Sequence, residues 1–362
     1  MNTEIAHTEL TRSSRAIHKL SGSLVGSRGV IHVSDGWAYA TNGSCTMIQH
    51  PTPLIDGTYD SHWGRLAKTL DFNLNELRQF FFCRTMPEKE VVDMAEPSSG
   101  IMPMFGLSAG VAKVLPAVDP KCTRPILRTV RISIRKATGK IQYRGGNDVS
   151  HAVYHGEDRI DAFDAFCLPY DCASLLARMD KMITKDPEAQ TEWGVELTDS
   201  VVAIHHEATS ISIVTRRVAD EQYPSLRLLE MTADEESESL LPNRGWLCSD
   251  AKELTEILTS VKRHSGMLQL GPSKAFNNKM MMTAHDKRLS PLTLASNIDP
   301  VEHNGRHMVF PDTSLFFDAV KASTGFINIS LYRYPDDKHI GRTMIMAMMI
   351  DDVGLMHIMP AE

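Results

Sequence analysis

Two adjacent histidines and a glutamate, His205, His206 and Glu207, are the first candidates for metal or acid–base chemistry in this chain. They end an alternating run of apolar residues, and that alternation predicts a β-strand. Neighbouring strand residues point to opposite faces of a sheet, so the two imidazoles cannot easily share one metal ion. The triple also lacks the HExxH spacing of zinc proteases. The pattern therefore disfavours a metal centre at this position.

A glycine-rich stretch, RGGND at residues 144–148, is the candidate for a phosphate-binding loop. It lacks the strand-to-helix context and the lysine of a P-loop, so a hairpin turn is the better interpretation. No GxSxG motif occurs, and no cysteine carries a recognisable catalytic signature. These observations favour a non-catalytic protein that has no metal and no cofactor.

The six cysteines are scattered along the chain, and their spacing matches neither CxxC nor a zinc ribbon. Reduced structural thiols are the expectation, because a disulfide framework or a metal cluster needs closer and more regular spacing. Only the fourth and fifth of them are close in sequence. The six are Cys45, Cys83, Cys122, Cys167, Cys172 and Cys248.

Length, composition and net charge limit the classes of protein to which this chain can belong. A chain of 362 residues is too long for one hydrophobic core and fits two or three domains. No stretch approaches the ~20 apolar residues of a membrane span, and the polar start lacks a signal-peptide core, so we expect a cytoplasmic protein without a membrane partner. A net charge of -7 argues against a protein that is basic all over. It leaves open positive charge gathered on one face.

Three segments repeat one order of elements, a helix of 3.6-residue period followed by a β-hairpin. Ser108 and Ser249 are the expected N-caps of the second and third helices, and Gly266 is the expected stop of the third. The helices are expected at residues 8–22, 106–120 and 249–266, and the hairpins at 29–43, 130–148 and 266–286.

A further helix follows in each segment at a spacing of about 65 residues, which predicts three structural repeats. Paired strands come after it in the second and third repeats, so the fold class is α+β with antiparallel sheets. In the first repeat the later helix is either 74–84 or 61–70, and residues 88–94 are the only strand-like run after it. The other later helices are expected at 170–185 and 313–323. Turn-rich and acidic linkers set the domain limits at 1–104, 105–240 and 241–362.

Residues 105–362 resemble the second and third domains of the bacterial sliding clamp, the β subunit of DNA polymerase III. The resemblance is carried by TRPILRTVRISI, by GGNDVSHAV at the place of a TDGHRLA-like turn, and by FCLPYDCASLLARM, EQYPSLRLL, MVFPDTSLFFDAVKA and LMHIMPAE. Residues 1–104 match mainly through WAYATNG, which resembles an ATDG turn. The chain is therefore identified as a divergent clamp, of the kind a phage would encode.

The resemblance implies a DNA-clamp fold, with three repeated domains whose antiparallel sheets lie outside and whose paired helices line a central hole. It implies a head-to-tail homodimer ring that encircles double-stranded DNA without reading its sequence. Such a clamp tethers DNA polymerase and meets its clamp loader through short peptides with Leu and Phe anchors, in the cytoplasm of the cell or of a phage's host. The alternatives are a clamp-like scaffold or inhibitor that does not encircle DNA, and an enzyme of unknown type.

The hole-lining helices that the resemblance implies carry many cations, whereas acidic residues collect in loops such as DEESES. Diffuse phosphate contacts of this kind release counterions without fixing a register, so binding is expected to be loose and salt-sensitive. The alternative is that these are ordinary solvated helix faces. The expected DNA-binding residues are Arg12, Arg15, Lys19, Arg78, Arg84, Lys113, Lys121, Arg178, Lys181, Lys185, Lys252, Lys262, Arg263 and Lys321.

The resemblance also implies a peptide cleft, for which an affinity near ~1 μM is expected. In this reading residues 354–359 are the last strand and MPAE (359–362) is a flap that walls the cleft. The chain ends on Ala361 and Glu362 where the family has arginine and leucine, so the partner motif is expected to be altered. The alternative is that the apolar wall residues are plain core. The expected walls are Arg124, Pro125, Val149, Ser150, His151, Ala152, Pro224, Leu226, Leu229, Ile358, Met359 and Pro360.

Overall fold

The computed structural model describes most of the chain, and every structural statement below refers to the residues it describes. These are residues 12–26, 29–42, 46–63, 102–135, 138–160, 163–183, 192–198, 201–206, 209–218, 223–224, 243–261, 266–272, 279–286, 289–295, 308–333 and 345–361. Both positions expected for the later helix of the first repeat lie outside them, apart from a turn at 61–63, as does the strand-like run 88–94.

Helices and strands follow one another as the repeats predict. The helices are α1 (Arg12–Val25), α2 (Leu107–Val114), α3 (Tyr170–Ile183), α4 (Ala251–Val261) and α5 (Thr313–Ala322), with short 3-10 helices at Leu115–Ala117 and Pro125–Arg128. The strands of the first half are β1 (Val30–Ser34), β2 (Trp37–Thr41), β3 (Thr46–Pro51), β4 (Gly57–Asp60), β5 (Met102–Phe105), β6 (Thr129–Ile134), β7 (Lys140–Gly146), β8 (His151–Arg159) and β9 (Phe166–Pro169). Those of the second half are β10 (Glu192–Leu197), β11 (Val201–His206), β12 (Ile211–Arg216), β13 (Asn243–Asp250), β14 (Leu268–Pro272), β15 (Met280–Ala284), β16 (Leu292–Ala295), β17 (Met308–Phe310), β18 (Phe326–Arg333), β19 (Ile345–Asp351) and β20 (Met356–Ala361).

The strands form three sheets. Their orders are β4-β1-β2-β3-β12-β11-β10-β5, β13-β18-β19-β20-β8-β7-β6-β9 and β16-β15-β14-β17. Each pair of strands whose register is resolved is antiparallel, which confirms the α+β class. Most neighbours in the sheets are also neighbours in sequence, as hairpins require.

By their internal contacts the residues fall into two compact units. The first contains Met1–Ala112, Arg131–Ser133 and Asp158–Glu221, and the second contains Lys113–Val130, Ile134–Glu157 and Gln222–Glu362. The middle predicted repeat, residues 105–240, is therefore split between the two units. The division into three domains at residues 104 and 240 stays a prediction.

The hairpin of β1 and β2 shows why the sequence folds this way locally. Ser34 pairs with Trp37, and the two turn residues between them, Asp35 and Gly36, have φ values of 51° and 78°. A two-residue turn with positive φ at both positions matches the twist of the strands it joins, and Asp-Gly is a favoured pair for it. The hairpins predicted at 29–43, 130–148 and 266–286 are confirmed.

The core of the second unit lies between α4, α5 and the strands they cover. Leu254 and Leu258 of α4 and Phe316 and Val320 of α5 are fully buried there. Their spacing of four residues places each pair on one side of its helix. Burying a side chain of this size contributes about 1.5 to 3 kcal/mol, so these stripes hold the helices on the sheet.

Helix ends differ from three expectations. Ser249 lies in β13 and is not the cap of α4, because the side chain of Asp250 accepts hydrogen bonds from the backbone N–H groups of Lys252 and Glu253 at 2.8 and 3.1 Å. The expected helix 106–120 is α-helical only to Val114, since Pro116 has no N–H and fits poorly in a helix interior. Ser108 is the second residue of α2, so it is not the N-cap.

Candidate peptide-binding cleft and basic helix faces

The turn between β7 and β8 is organised by one amide side chain. Asn147 Oδ1 accepts hydrogen bonds from the backbone N–H groups of Val149 and Ser150, both at 2.8 Å. Asn147 Nδ2 donates to the Ala117 carbonyl at 3.3 Å, which ties the turn to the 3-10 helix after α2. The RGGND stretch is therefore a hairpin turn, as the sequence predicts, and its most exposed apolar residue is Val149, 43% exposed.

The carboxylate of Asp148 connects this turn to residues 122–124. Its Oδ2 accepts from Thr123 Oγ1 at 2.8 Å and from Cys122 Sγ at 3.2 Å, and its Oδ1 lies 3.5 Å from Arg124 Nε. The hydrogen bond from Thr123, then that from Cys122, and the charge of Arg124 lower the pKa of Asp148 below its ordinary value. An ionised Asp148 thus holds Arg124, which is itself exposed, beside the turn.

The last strand joins the same turn from the other side. In the antiparallel pair of β8 and β20, His151 lies opposite Ile358 and Ala152 opposite His357. Ala152 and Ile358 are both buried, at 0% and 3% exposure. The sheet therefore brings the predicted wall residues of the turn and of the chain end together.

The expectation that residues 359–362 form a flap is wrong for the part that the structure describes. Met359, Pro360 and Ala361 continue β20 and pair with Ala347, Met346 and Ile345 of β19. Met359 packs in the core of the second unit at 3% exposure. The ladder of backbone hydrogen bonds to β19 gives these residues partners that a flap would lack.

A fourth segment, Tyr223–Pro224, is attached to the site by a buried arginine of β7. Arg144 Nη2 donates to the Pro224 carbonyl at 2.7 Å, and the guanidinium carbon lies 5.2 Å from the centre of the Tyr223 ring. The Tyr223 hydroxyl donates to the Arg144 carbonyl at 3.2 Å. Pro224 is thus placed by contacts that the sequence did not reveal. Leu226 and Leu229, the next predicted wall residues, lie outside the described residues.

The two histidines of the β8–β20 pair are uncharged at neutral pH. Burial, followed by the positive charges of Arg144 and Arg124, lowers the pKa of His151 to about 4, against an opposing effect of Asp148. Burial lowers the pKa of His357 to about 4. Neutral imidazoles are compatible with the apolar walls around them, because an uncompensated buried charge would be costly.

Sequence reasoning missed Arg144, Tyr223 and Asp148 as parts of this site. The resemblance placed the turn and the chain end correctly beside each other, but a buried arginine carries no periodic signal. Its partners include a carbonyl oxygen and an aromatic ring, which help to stabilise a cation at 6% exposure.

The predicted DNA-binding residues that the structure describes fall into two groups. In the first unit Arg15 and Lys19 are exposed one turn apart on α1, and Arg178 of α3 donates to Ser23 Oγ of α1 at 2.8 Å. In the second unit Lys252 of α4 and Lys321 of α5 are exposed.

Two further cations of the second unit lie at the end of α2 or beyond it. Lys113 is half-buried and donates to Thr324 Oγ1 at 3.0 Å, whereas Lys121 is exposed in a turn and not on a helix. The other predicted DNA-binding residues lie outside the described residues, or their side chains do. They are Arg12, Arg78, Arg84, Lys181, Lys185, Lys262 and Arg263.

The histidine pair of β11 is occupied by structural contacts. His205 Nδ1 hydrogen-bonds Ser212 Oγ at 2.8 Å, while His206 is fully buried, hydrogen-bonds Thr209 and packs 4.7 Å from the Trp193 ring. The described residues contain no group of three side chains able to hold a metal ion. Within the same residues no helix has the length and hydropathy needed to span a membrane.

Comparison with known proteins gives no match by sequence and many by structure. No protein-family model matches the chain, and no curated protein matches it. The DNA polymerase III subunit beta from Pseudomonas aeruginosa superposes with a TM-score of 0.63 and 12% identity, over 95% of this chain and 96% of that one. The beta subunit from DNA polymerase of Streptococcus pyogenes gives 0.61 and 14%, over 97% and 98%.

A third solved structure bears on peptide binding. The Helicobacter pylori beta clamp bound to a DNA ligase peptide has a TM-score of 0.61 and 12% identity, over 97% of each chain. At such identities the likeness concerns the fold, and it extends over nearly the whole length of each chain. This protein has the fold of the bacterial DNA polymerase III beta sliding clamps.

Proposed function

We propose that this protein is a DNA sliding clamp, which closes into a homodimer ring around double-stranded DNA. It tethers a DNA polymerase and other replication partners through the cleft at the β7–β8 turn. The observation that carries the proposal is the clamp fold over nearly the full length of both compared chains, at 95% and 96% coverage. A non-catalytic role agrees with this fold, since its compared members are sliding clamps.

Exposed cations on the helices support the DNA part of the proposal. Arg15, Lys19, Lys252 and Lys321 are exposed on three different helices. Scattered contacts to phosphates hold a duplex without selecting a sequence, so a ring can move along it. The net charge of -7 then reflects acidic residues elsewhere in the chain.

The walls at the β7–β8 turn support the peptide part. Val149 and Arg124 are exposed, and His151 and Pro224 are half-buried, so these residues offer both apolar and polar contacts. A short peptide with Leu and Phe anchors suits such a groove, because each large apolar side chain that is buried contributes ~1.5 to 3 kcal/mol. Ordering the peptide offsets part of this gain, which keeps partners exchangeable.

Retention on circular DNA tests the proposal. We expect sedimentation to give about twice the 40.3 kDa mass of one chain. Protein loaded on a nicked plasmid should remain through a high-salt wash and be lost when the plasmid is made linear, because a ring is held by topology and not by affinity. Equal loss from both DNA forms would reject the sliding clamp, and a monomer at micromolar concentration would favour a scaffold or inhibitor.

A further inference from the structure

The second unit contains a buried cation that touches one wall of the candidate cleft and acts on another through its charge. Arg144 lies on β7, two residues before its end, at 6% exposure. A fixed guanidinium at such a place needs partners that offset the loss of its hydration. Those partners come from segments far from it in sequence, and they are the basis of the inference.

One side of Arg144 fixes the chain at Tyr223–Pro224. The guanidinium donates to the Pro224 carbonyl at 2.7 Å and lies 5.2 Å from the Tyr223 ring centre, while the Tyr223 hydroxyl donates back to the Arg144 carbonyl. A planar guanidinium can stack and donate at the same time, which an ammonium group does less well. Arg144 and the segment Tyr223–Pro224 are therefore joined by three separate contacts.

This attachment fixes the Pro224 carbonyl to β7, and with it one wall of the candidate cleft. Without the Arg144 side chain, the Pro224 carbonyl would lose the hydrogen bond that joins it to β7.

The other side of Arg144 acts on His151. Burial is the main cause of the low His151 pKa, and the charge of Arg144 is the next, followed by that of Arg124, whereas Asp148 opposes them. The imidazole of His151, at the start of β8, also rests on Gly146 at the end of β7, where an added Cβ would collide with His151 Nδ1. Arg144 and Gly146 of β7 thus both act on the His151 wall.

We propose that Arg144 is the positioning residue of the peptide cleft, holding the Tyr223–Pro224 wall and the His151 wall in the relative places that a Leu- and Phe-containing peptide requires. This inference rests on the proposed function, because it takes that cleft to be the partner site. Arg144 need not touch the peptide, since its own contacts are with the protein. It sets the shape of the site, and its charge adds to the burial that keeps His151 uncharged.

The test compares wild type with Arg144→Met and Arg144→Lys, and uses Lys140→Met at the other end of β7 as the matched control. Hydrogen exchange of the Tyr223 amide reports the wall without any peptide. A fluorescent synthetic peptide with Leu and Phe anchors reports the cleft, and NMR titration of the His151 imidazole reports the charge. Arg144→Lys keeps the charge and preserves the test if Arg144→Met fails to fold.

We expect Arg144→Met to speed exchange of the Tyr223 amide at least tenfold, weaken peptide binding about tenfold and raise the titration midpoint of His151. Arg144→Lys should keep the His151 midpoint and regain part of the affinity, and Lys140→Met should resemble wild type. Unchanged exchange and unchanged peptide affinity in Arg144→Met would overturn the inference. A wild-type protein that fails to bind the peptide would instead reject the cleft itself, even where exchange responds.

Discussion

The β7–β8 turn and the outer face of α1 hold their functional side chains in opposite ways. At the turn, Asn147 and Asp148 each make several short hydrogen bonds, and the last strand pairs directly with His151. On α1, Arg15 and Lys19 are exposed on the helix surface. A built turn suits a partner of defined shape, whereas exposed cations suit the repeating charge of a DNA backbone. The predictions below test this contrast.

The largest effect is expected from pH. Burial is the leading cause that lowers the pKa of His50, His151 and His357 to about 4 in the folded protein, whereas an unfolded chain protonates near 6.5. Between these values the unfolded chain binds more protons. The stability that these neutral histidines contribute is therefore fully present above pH 6.5. As the pH drops to 4, the free energy of unfolding falls by up to about 1.4 kcal/mol per pH unit for each histidine.

Denaturant unfolding at several pH values measures this slope. Replacing His151 or His357 by Gln should reduce this slope by the contribution of about one histidine. His50→Gln, a change near α1, should reduce it by the same amount. The exposed Ser260→Ala on α4 removes no titratable group, so it is the control and should leave the slope unchanged. Equal slopes in all variants would show that these rings do not stay neutral in the fold.

A charge placed in the β20 wall should be nearly as damaging. Ile358 is 3% exposed and pairs with both β8 and β19, so Ile358→Asp buries a carboxylate without a partner. We expect a loss of about 3 kcal/mol in the free energy of unfolding and no detectable peptide binding. Val353→Asp, at a turn position 42% exposed, is the control and should change stability by less than about 0.5 kcal/mol. Normal stability in Ile358→Asp would place this side chain outside the core.

Loosening the turn should have a moderate and local effect. Asp148→Asn removes the negative charge that holds Arg124. It also weakens the hydrogen bonds that this side chain accepts from Thr123 and Cys122. We expect peptide affinity to fall several-fold while retention on nicked circular DNA stays normal. Fluorescence anisotropy and the plasmid assay measure the two separately. A matched loss of both activities would mean that the turn and the basic faces are one site.

Replacing a single exposed cation should give the smallest effect. Arg15→Gln or Lys252→Gln removes about one phosphate contact and should lower the slope of log K against log salt by about one unit at most. Peptide binding should not change. Glu253→Gln, also exposed on α4, is the control and should leave the salt slope at or above its original value. A loss of DNA binding by orders of magnitude from one such change would show a specific contact in place of diffuse ones.

Local rules explain which elements could be predicted. The Asp35-Gly36 hairpin, the apolar stripes of α4 and α5, and the alternation in β11 and β12 depend on neighbours within a few residues. The caps were less secure, because Ser249 and Asp250 are both good cap residues and only the geometry of β13 decides between them. The resemblance supplied the order of the turn, the later helix and the chain end in the last two repeats.

The sequence by itself determined the elements, their antiparallel pairing and the apolar character of the last strand, because these follow from periodicity and turn chemistry. The tertiary structure alone decided that Met359 to Ala361 extend β20, that Asp148 gathers Cys122, Thr123 and Arg124, and that Arg144 holds Tyr223. These contacts join residues up to 80 positions apart. No local pattern encodes such a pair, since the partners are far apart in sequence and each fits its own segment without the other.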